Sequence, residues 1–343
     1  MKKQFYDIFV SCYGTSEEDT IHWLTLNRNN FQIEHKHSFN GIENPSYITF
    51  NRLKNRLYAV SEVEQGEVVS FHVDDVNKKI VELNRQPTKG GPCYLEVSED
   101  ERYLLTANYG GGSIIVHELN DNGEIERETD YKRYDKHGKS HIHIIRKLPT
   151  SNHYIATDLG LNKLYFYRLD METGQLIDVN DVVLPTNSGP RHIEFHPYLN
   201  IIYFVNEFNS KVLVYRYDEK LNDIHLLQSI GTIPDTFVKK NYGADIHVTT
   251  DGKYLYVSNR GHDSITSYMV EVDGKLSMIA QTNSVGNWPR NFTISPDDQH
   301  LFVANEHSNN IVPMKVLPDG NVQQILNTIN TNRPVCLQVK EVY

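Results

Sequence analysis

Cysteine is scarce in this chain: Cys12, Cys93 and Cys336 are the only three among 343 residues. Three cannot all pair with one another, and none stands in a Cys-x-x-Cys or Cys/His metal spacing, so neither a disulfide framework nor a thiolate zinc site is expected. A reducing compartment fits this usage. Long apolar runs are missing too. No stretch approaches the roughly 20 apolar residues of a membrane-spanning helix, and the basic start Met1-Lys2-Lys3 is followed by Asp7 and the turn Tyr13-Gly14-Thr15 rather than a signal-peptide core. A cytoplasmic protein with no membrane partner is expected. Positive charge is also in deficit, with 34 Lys plus Arg against 44 Asp plus Glu and a formal charge of −10. That balance disfavours broad attraction to nucleic acid or anionic lipid, so any bound anion must be held locally.

What is present is 39% hydrophobic, 10% aromatic and 23% charged residues, enough for a large core. The organising feature is a repeat. The pattern apolar, aromatic, apolar, small, Asn of Leu255-Tyr-Val-Ser-Asn259 recurs as Leu104-Leu-Thr-Ala-Asn108, Leu301-Phe-Val-Ala-Asn305 and, in a variant, Tyr203-Phe-Val-Asn206. Weaker copies end at Cys12, Glu62 and Asp158, and the seven end positions lie 50, 46, 50, 48, 53 and 46 residues apart. Each unit opens near a Pro or Gly, as in Gly91-Pro92, Gly189-Pro190, Trp288-Pro289 and Arg333-Pro334, and continues as alternating runs separated by turns such as Asn122-Gly123, Thr173-Gly174 and Asp273-Gly274. Period-two alternation bounded by turn residues predicts strands. Seven units of four antiparallel strands predict an all-β, seven-bladed β-propeller. The chain opens on a second-strand pattern, Phe5 to Tyr13, and closes on a first-strand pattern, Val335-Cys-Leu-Gln-Val339, so the two ends are expected to share one blade. Residues 1–343 are expected to form a single domain.

The first strand of a propeller blade lines the central channel, so equivalent positions converge on one funnel. One residue after each Pro or Gly start stand Cys93, His143, Arg191, Ala244, Arg290 and Val335, with Ser46 or Tyr47 for the remaining blade. One residue past the Asn position stand Tyr13, Val63, Tyr109, Leu159, Glu207, Arg260 and Glu306. In five blades the two columns are 16 residues apart. Positions needed only for packing should repeat one bland residue type, whereas these columns collect His143, Arg191, Glu207, Arg260, Arg290 and Glu306, with His192, Asp245 and His247 beside them. A local arginine cluster in an acidic protein points to a small anionic ligand. Arg191 with Glu207, or Arg290 with Glu306, would alternatively be salt bridges that hold two strands; Arg260 faces Ala244 and must look to a neighbouring blade or a ligand. His141 reads as a hydrogen-bonded residue. The recurring Asn108, Asp158, Asn206, Asn259 and Asn305 read first as satisfying turn backbone, with oxygen ligation of a divalent cation as the minority reading. The glycine run after Tyr109 lacks the Gly-x-x-x-x-Gly-Lys phosphate-loop pattern and reads as a hairpin.

Asn108-Tyr109, His141-Ile-His143, Asp158-Leu-Gly160, Gly189-Pro-Arg-His192, Asn206-Glu207, Ala244-Asp-Ile-His247, Asn259-Arg260 and Pro289-Arg-Asn-Phe292, taken in order, resemble the successive motifs of the seven-bladed propeller lactonase family. That family includes propeller-type 6-phosphogluconolactonases and fungal carboxymuconate lactonizing enzymes. The resemblance implies a catalytic set of His143, Arg191, Glu207 and Arg260, with Arg290, His192 and Asp245 close by; together with His247, Tyr109, Asn108 and Glu306, those three are the expected substrate contacts. It implies hydrolysis of a small anionic sugar lactone with no cofactor, no metal and no obligate protein partner. Glu207 or His143 would act as base, Arg260 or Arg191 as oxyanion donor, and Arg290 would grip the phosphate or carboxylate. One departure stands out: Ile142 and Ile144 occupy positions where the family often has Pro and Ser. Cyclisation of a muconate-like diacid by the same cluster is the alternative enzyme reading. A protein-interaction platform is the other, against which the chain lacks the recurrent Trp-Asp ending of WD-repeat propellers.

Overall fold

Most of the chain folds into strands, nearly all of six to nine residues, and among the described residues no helix is present. The computed structural model describes residues 4–134, 139–325 and 328–342. The strands form seven antiparallel sheets in succession, each ordered as the chain runs. Blade 1 spans Ile48 to Pro87, blade 2 Pro92 to Arg133, blade 3 Ile142 to Val183, blade 4 Pro190 to Gly231, blade 5 Tyr242 to Asn283 and blade 6 Pro289 to Asn330. Blade 7 is shared: Pro334–Val342 is its first strand and pairs antiparallel with Phe5–Cys12, Ile8 opposite Val339. Blade 6 departs from the pattern in its outermost strand, which is split into Val322–Gln324 and Ile329–Asn330.

First strands of neighbouring blades contact one another all the way round, blade 7 against blade 1 included, which closes the ring. The second strands, such as Tyr103–Asn108, Ile201–Asn206 and His300–Asn305, are buried at every residue because a blade covers each face. Outer strands such as Leu176–Val183 are largely exposed. Core side chains therefore pack between blades, as where Tyr256, Ile265, Phe292 and Val303 form one cluster, each contributing about 1.5–3 kcal/mol of burial.

Polar side chains tie the blades together at two radii. Near the rim, a buried tyrosine of the second strand in blades 1, 4 and 5 donates to the hairpin turn of the next blade: Tyr58 to Gly123 O (3.1 Å), Tyr203 to Gly274 O (2.9 Å) and Tyr256 to Gly320 O (3.0 Å). At the hub, Asp245 of blade 5 accepts from His192 Nδ1 of blade 4 (2.7 Å) and from Asn291 Nδ2 and Phe292 N of blade 6. Asn291 Oδ1 in turn accepts from Leu337 N of blade 7 (2.8 Å). Gln338 Nε2 continues to Ile48 O of blade 1 (3.1 Å).

The turns that receive these tyrosines need glycine. Gly320 sits at φ +81°, and a Cβ there would run into the ring of Tyr254. Gly320→Ala is therefore expected to destabilise the protein by more than about 1 kcal/mol, read as a lower urea midpoint with an unchanged slope.

Candidate active site

A regular strand turns successive side chains to opposite faces, which would send Arg191 and His192 in opposite directions. The first strands avoid this with a bulge. Pro190 pairs with Asn206 and His192 with Val205, leaving Arg191 as an extra residue. The same irregularity brackets Cys93, His143, Arg290 and Val335, and it sets Ala244 and Asp245 jointly against Ser258. A bulge re-aims one side chain while restoring alternation beyond it. Six blades thereby supply the channel with an upper residue at the bulge and a lower residue just after it.

The upper tier brings His143, Arg191, Glu207 and Arg260 together. Glu207 Oε2 lies 2.7 Å from Arg260 NH2 and 3.3 Å from Arg191 Nε. The expected pairing of Arg191 with Glu207 within blade 4 is present, and Arg260 reaches to the neighbouring blade. Arg191 also donates to Ala244 O (2.5 Å) and Arg260 to Gly243 O (3.2 Å), which fixes both guanidiniums on backbone. Arg260 packs its guanidinium against Trp288 and Tyr242. Arg290 does not pair with Glu306: it lies 3.7 Å from Glu62, while Glu306 takes Arg333 at 3.1 Å. Tyr109 stands beside His143 with ring centroids 5.6 Å apart and stacks on His141, whose Nδ1 contacts Tyr109 O at 3.0 Å.

Burial and arginine proximity set the protonation states. Burial, reinforced by Arg191, holds His143 well below the ordinary histidine range, so its imidazole is neutral, and its buried Nδ1 has no hydrogen-bond partner. Burial pushes Glu207 up, but Arg260 and Arg191 outweigh it and hold the carboxylate below its usual range. Ile142 and Ile144 are fully buried in the core on either side of His143. Their departure from the family pattern leaves the imidazole on the channel.

His192 lies directly beneath this tier, its ring centroid 5.2 Å from that of His143, and joins Asp245 and His247 in a lower one. They line a separate cavity of about 230 Å³ further along the same strands, with Glu96, Arg146 and Glu194. Asp245 is saturated by the inter-blade bonds described above, so its evident work is holding the hub. Asn108 is corrected as a substrate contact: it is wholly buried and its Nδ2 donates to Thr88 O (2.9 Å) and Ser113 Oγ (3.1 Å). Asn259 and Asn305 make the equivalent bond to Thr232 O and Ser284 O. In these three blades the repeated asparagine thus fastens the end of a second strand to the loop entering its own blade.

Sequence reasoning missed Glu62, Arg333, Trp288 and Tyr242, and gave Tyr13 no role. Glu62 N bonds to Asn44 O as Glu207 N bonds to Gly189 O, so Glu62, and not Val63, belongs in the second column. The 16-residue spacing then holds from Ser46 to Glu62 as well. The other signal was a third column two residues before the bulge, occupied by His141, Tyr242, Trp288 and Arg333.

The family model described as "Lactonase, 7-bladed beta-propeller" matches residues 7–339. The chain belongs to the seven-bladed β-propeller lactonase family. It is 30% identical over 293 residues to a Bacillus subtilis protein named 6-phosphogluconolactonase, covering 83% of each chain. Among solved structures, this lactonase-family propeller is similar to a putative 6-phosphogluconolactonase of Bacteroides fragilis, with a TM-score of 0.90, 26% identity and 99% of both chains covered. It shares its fold with a Pseudomonas aeruginosa structure titled periplasmic gluconolactonase, at a TM-score of 0.92, 24% identity and coverage of 99% and 100% of the two chains.

The lower tier carries a pH signature. Burial pushes His247 down, but Asp245 and Glu194 outweigh it and lift it to about 10, whereas burial and Arg191 press His192 down to about 4. A histidine whose folded pKa is raised stabilises fully below its ordinary value of 6.5 and loses that contribution as pH climbs toward about 10. The melting temperature should therefore fall across that window, and His247→Gln should flatten the fall; parallel curves for the two proteins would contradict the assignment.

Proposed function

We propose that the upper tier hydrolyses a sugar lactone, with 6-phosphogluconolactone as the substrate and 6-phosphogluconate as the product, feeding the pentose phosphate pathway. The observation that carries this reading is the joining of Arg191 and Arg260 through one carboxylate beside a neutral, unpartnered imidazole. The name of the Bacillus subtilis relative supports the choice of lactone.

Water attacks the lactone carbonyl carbon while His143 accepts a proton from it. Glu207 is the poorer base, because two arginines already stabilise its charge; its part is to hold them. Arg260 and Arg191 stabilise the oxyanion as the carbonyl π pair moves onto oxygen. Collapse of the intermediate restores the carbonyl and breaks the ring C–O bond, and the departing alkoxide takes the proton from His143. The carboxylic acid so formed gives its remaining proton to solvent, leaving the carboxylate among arginines. The same cluster lacks a specific feature favouring diacid cyclisation, and its charges face the channel rather than a partner-binding rim. The three buried, unpaired cysteines support a cytosolic setting, which cell fractionation tests.

Arg260→Ala should lower kcat/KM for 6-phosphogluconolactone by about 10²–10³-fold, the effect of removing an oxyanion donor. His143→Gln should lower kcat by about 10²–10⁴-fold. Both are read in a rapid acid-release assay above the spontaneous rate, and wild-type turnover in both variants would reject the mechanism. Because His143 is held well below 6.5, activity should stay level as pH drops through 6.5 and fall only at more acid pH. An acid limb centred at or above 6.5 would place the base elsewhere.

A further inference from the structure

The channel mouth is charged on two sides, with Arg290 between them, close enough to act on Arg191 and His143 while it reaches Glu62. Blades 3–5 carry His143, Arg191, Glu207 and Arg260, the groups assigned above to the carbonyl. In a ring of seven, blade 4 looks across the axis at the seam between blades 7 and 1. Around that seam a second charged group gathers on one aromatic ring: the guanidinium carbons of Arg290 and Arg333 each lie 5.1 Å from the Tyr13 centroid. Tyr13 is itself fixed, its hydroxyl donating to Glu62 Oε2 at 2.8 Å.

In the ion pairs of the mouth four guanidiniums, Arg191, Arg260, Arg290 and Arg333, share three carboxylates, Glu62, Glu207 and Glu306, in a protein whose formal charge is −10. Arg333 is the most open of the four, with 49% of its side chain exposed against 17% for Arg290 and 6% or less for the other two. One terminal nitrogen of Arg333 reaches Glu306, and a guanidinium has five N–H donors in a planar fork. Its backbone is pinned: the N–H donates to Asn309 Oδ1 (2.9 Å), the carbonyl accepts from Tyr13 N (3.0 Å), and φ is +43°, unusual for a non-glycine residue.

We propose that Arg333 and Arg290, seated on Tyr13, form an anion clamp for the phosphate end of a phosphorylated sugar lactone, and that Arg333 sets the preference for phosphorylated over unphosphorylated substrate. This rests on the lactonase reading above. A phosphorylated lactone has two ends with different demands, an electrophilic carbonyl and a compact anion with three terminal oxygens, and the mouth offers a different group to each. A planar fork matches the phosphate bidentately. An unphosphorylated sugar leaves the surplus positive charge uncompensated.

The test compares wild type, Arg333→Gln and Arg333→Lys on 6-phosphogluconolactone and on glucono-1,5-lactone. The ratio of kcat/KM for the phosphorylated over the plain lactone should fall at least about tenfold in Arg333→Gln, chiefly through KM, and by less in Arg333→Lys, which keeps the charge but loses the fork. An unchanged ratio, or equal losses on both substrates, overturns the clamp. Ligand-induced thermal stabilisation supplies a readout independent of turnover. 6-Phosphogluconate should raise the melting temperature of wild type more than gluconate does, and Arg333→Gln should remove the difference. If wild type turns over neither lactone, the hydrolysis reading fails, and the clamp is judged on this measurement alone. Equal stabilisation of wild type by the two acids overturns it.

Discussion

One extra residue near the start of a first strand is the constraint on which the site depends. Without the bulge, a strand entering the hub would show the channel every second side chain, and Arg191 or His192 would be buried in a blade interface instead. With it, six blades present two consecutive residues to the axis. The upper residues vary as chemistry requires. The lower ones, Asp245 and Asn291 above all, bond blade to blade and hold the ring at the diameter where the upper ones meet.

Closure makes that diameter rigid. The C-terminal first strand lies against the N-terminal strand over eight residue pairs, and it is flanked by the first strands of blades 6 and 1. The same strand begins one residue after Arg333, whose carbonyl receives the N–H of Tyr13 from the other end of the chain. The latch and part of the mouth are therefore one piece of structure. Whatever orders the latch also sets the rim.

The electrostatics follow from confinement. In water, three arginines near one another would repel and stay apart. Here backbone carbonyls and Glu207 hold Arg191 and Arg260 in place, and Arg290 is offset by Glu62 and lies over the Tyr13 ring. Their summed field, with burial, keeps His143 neutral. The acidity of the whole molecule and the positive mouth are compatible because the low-dielectric walls of the funnel concentrate the field of the arginines inside it, while salt screens the more distant surface charges.

The repeat carried most of the fold in readable form. Asn-ending second strands, Pro-led first strands and Gly-containing turns recur because each blade solves one packing problem in the same way, so the blade count and the shared blade were legible from the chain. So were His143, Arg191, Glu207 and Arg260, since a fixed 16-residue interval within a blade becomes convergence once the ring closes. What the sequence did not disclose is where each charge goes. Arg290 and Glu306 lie 16 residues apart like Arg191 and Glu207, yet they choose Glu62 and Arg333 from other blades. That choice depends on distances across the channel, which no interval along the chain encodes. Likewise Asp245 looks like a site residue in sequence and becomes the hub in space, because only the bulge decides which of two adjacent side chains stands above the other.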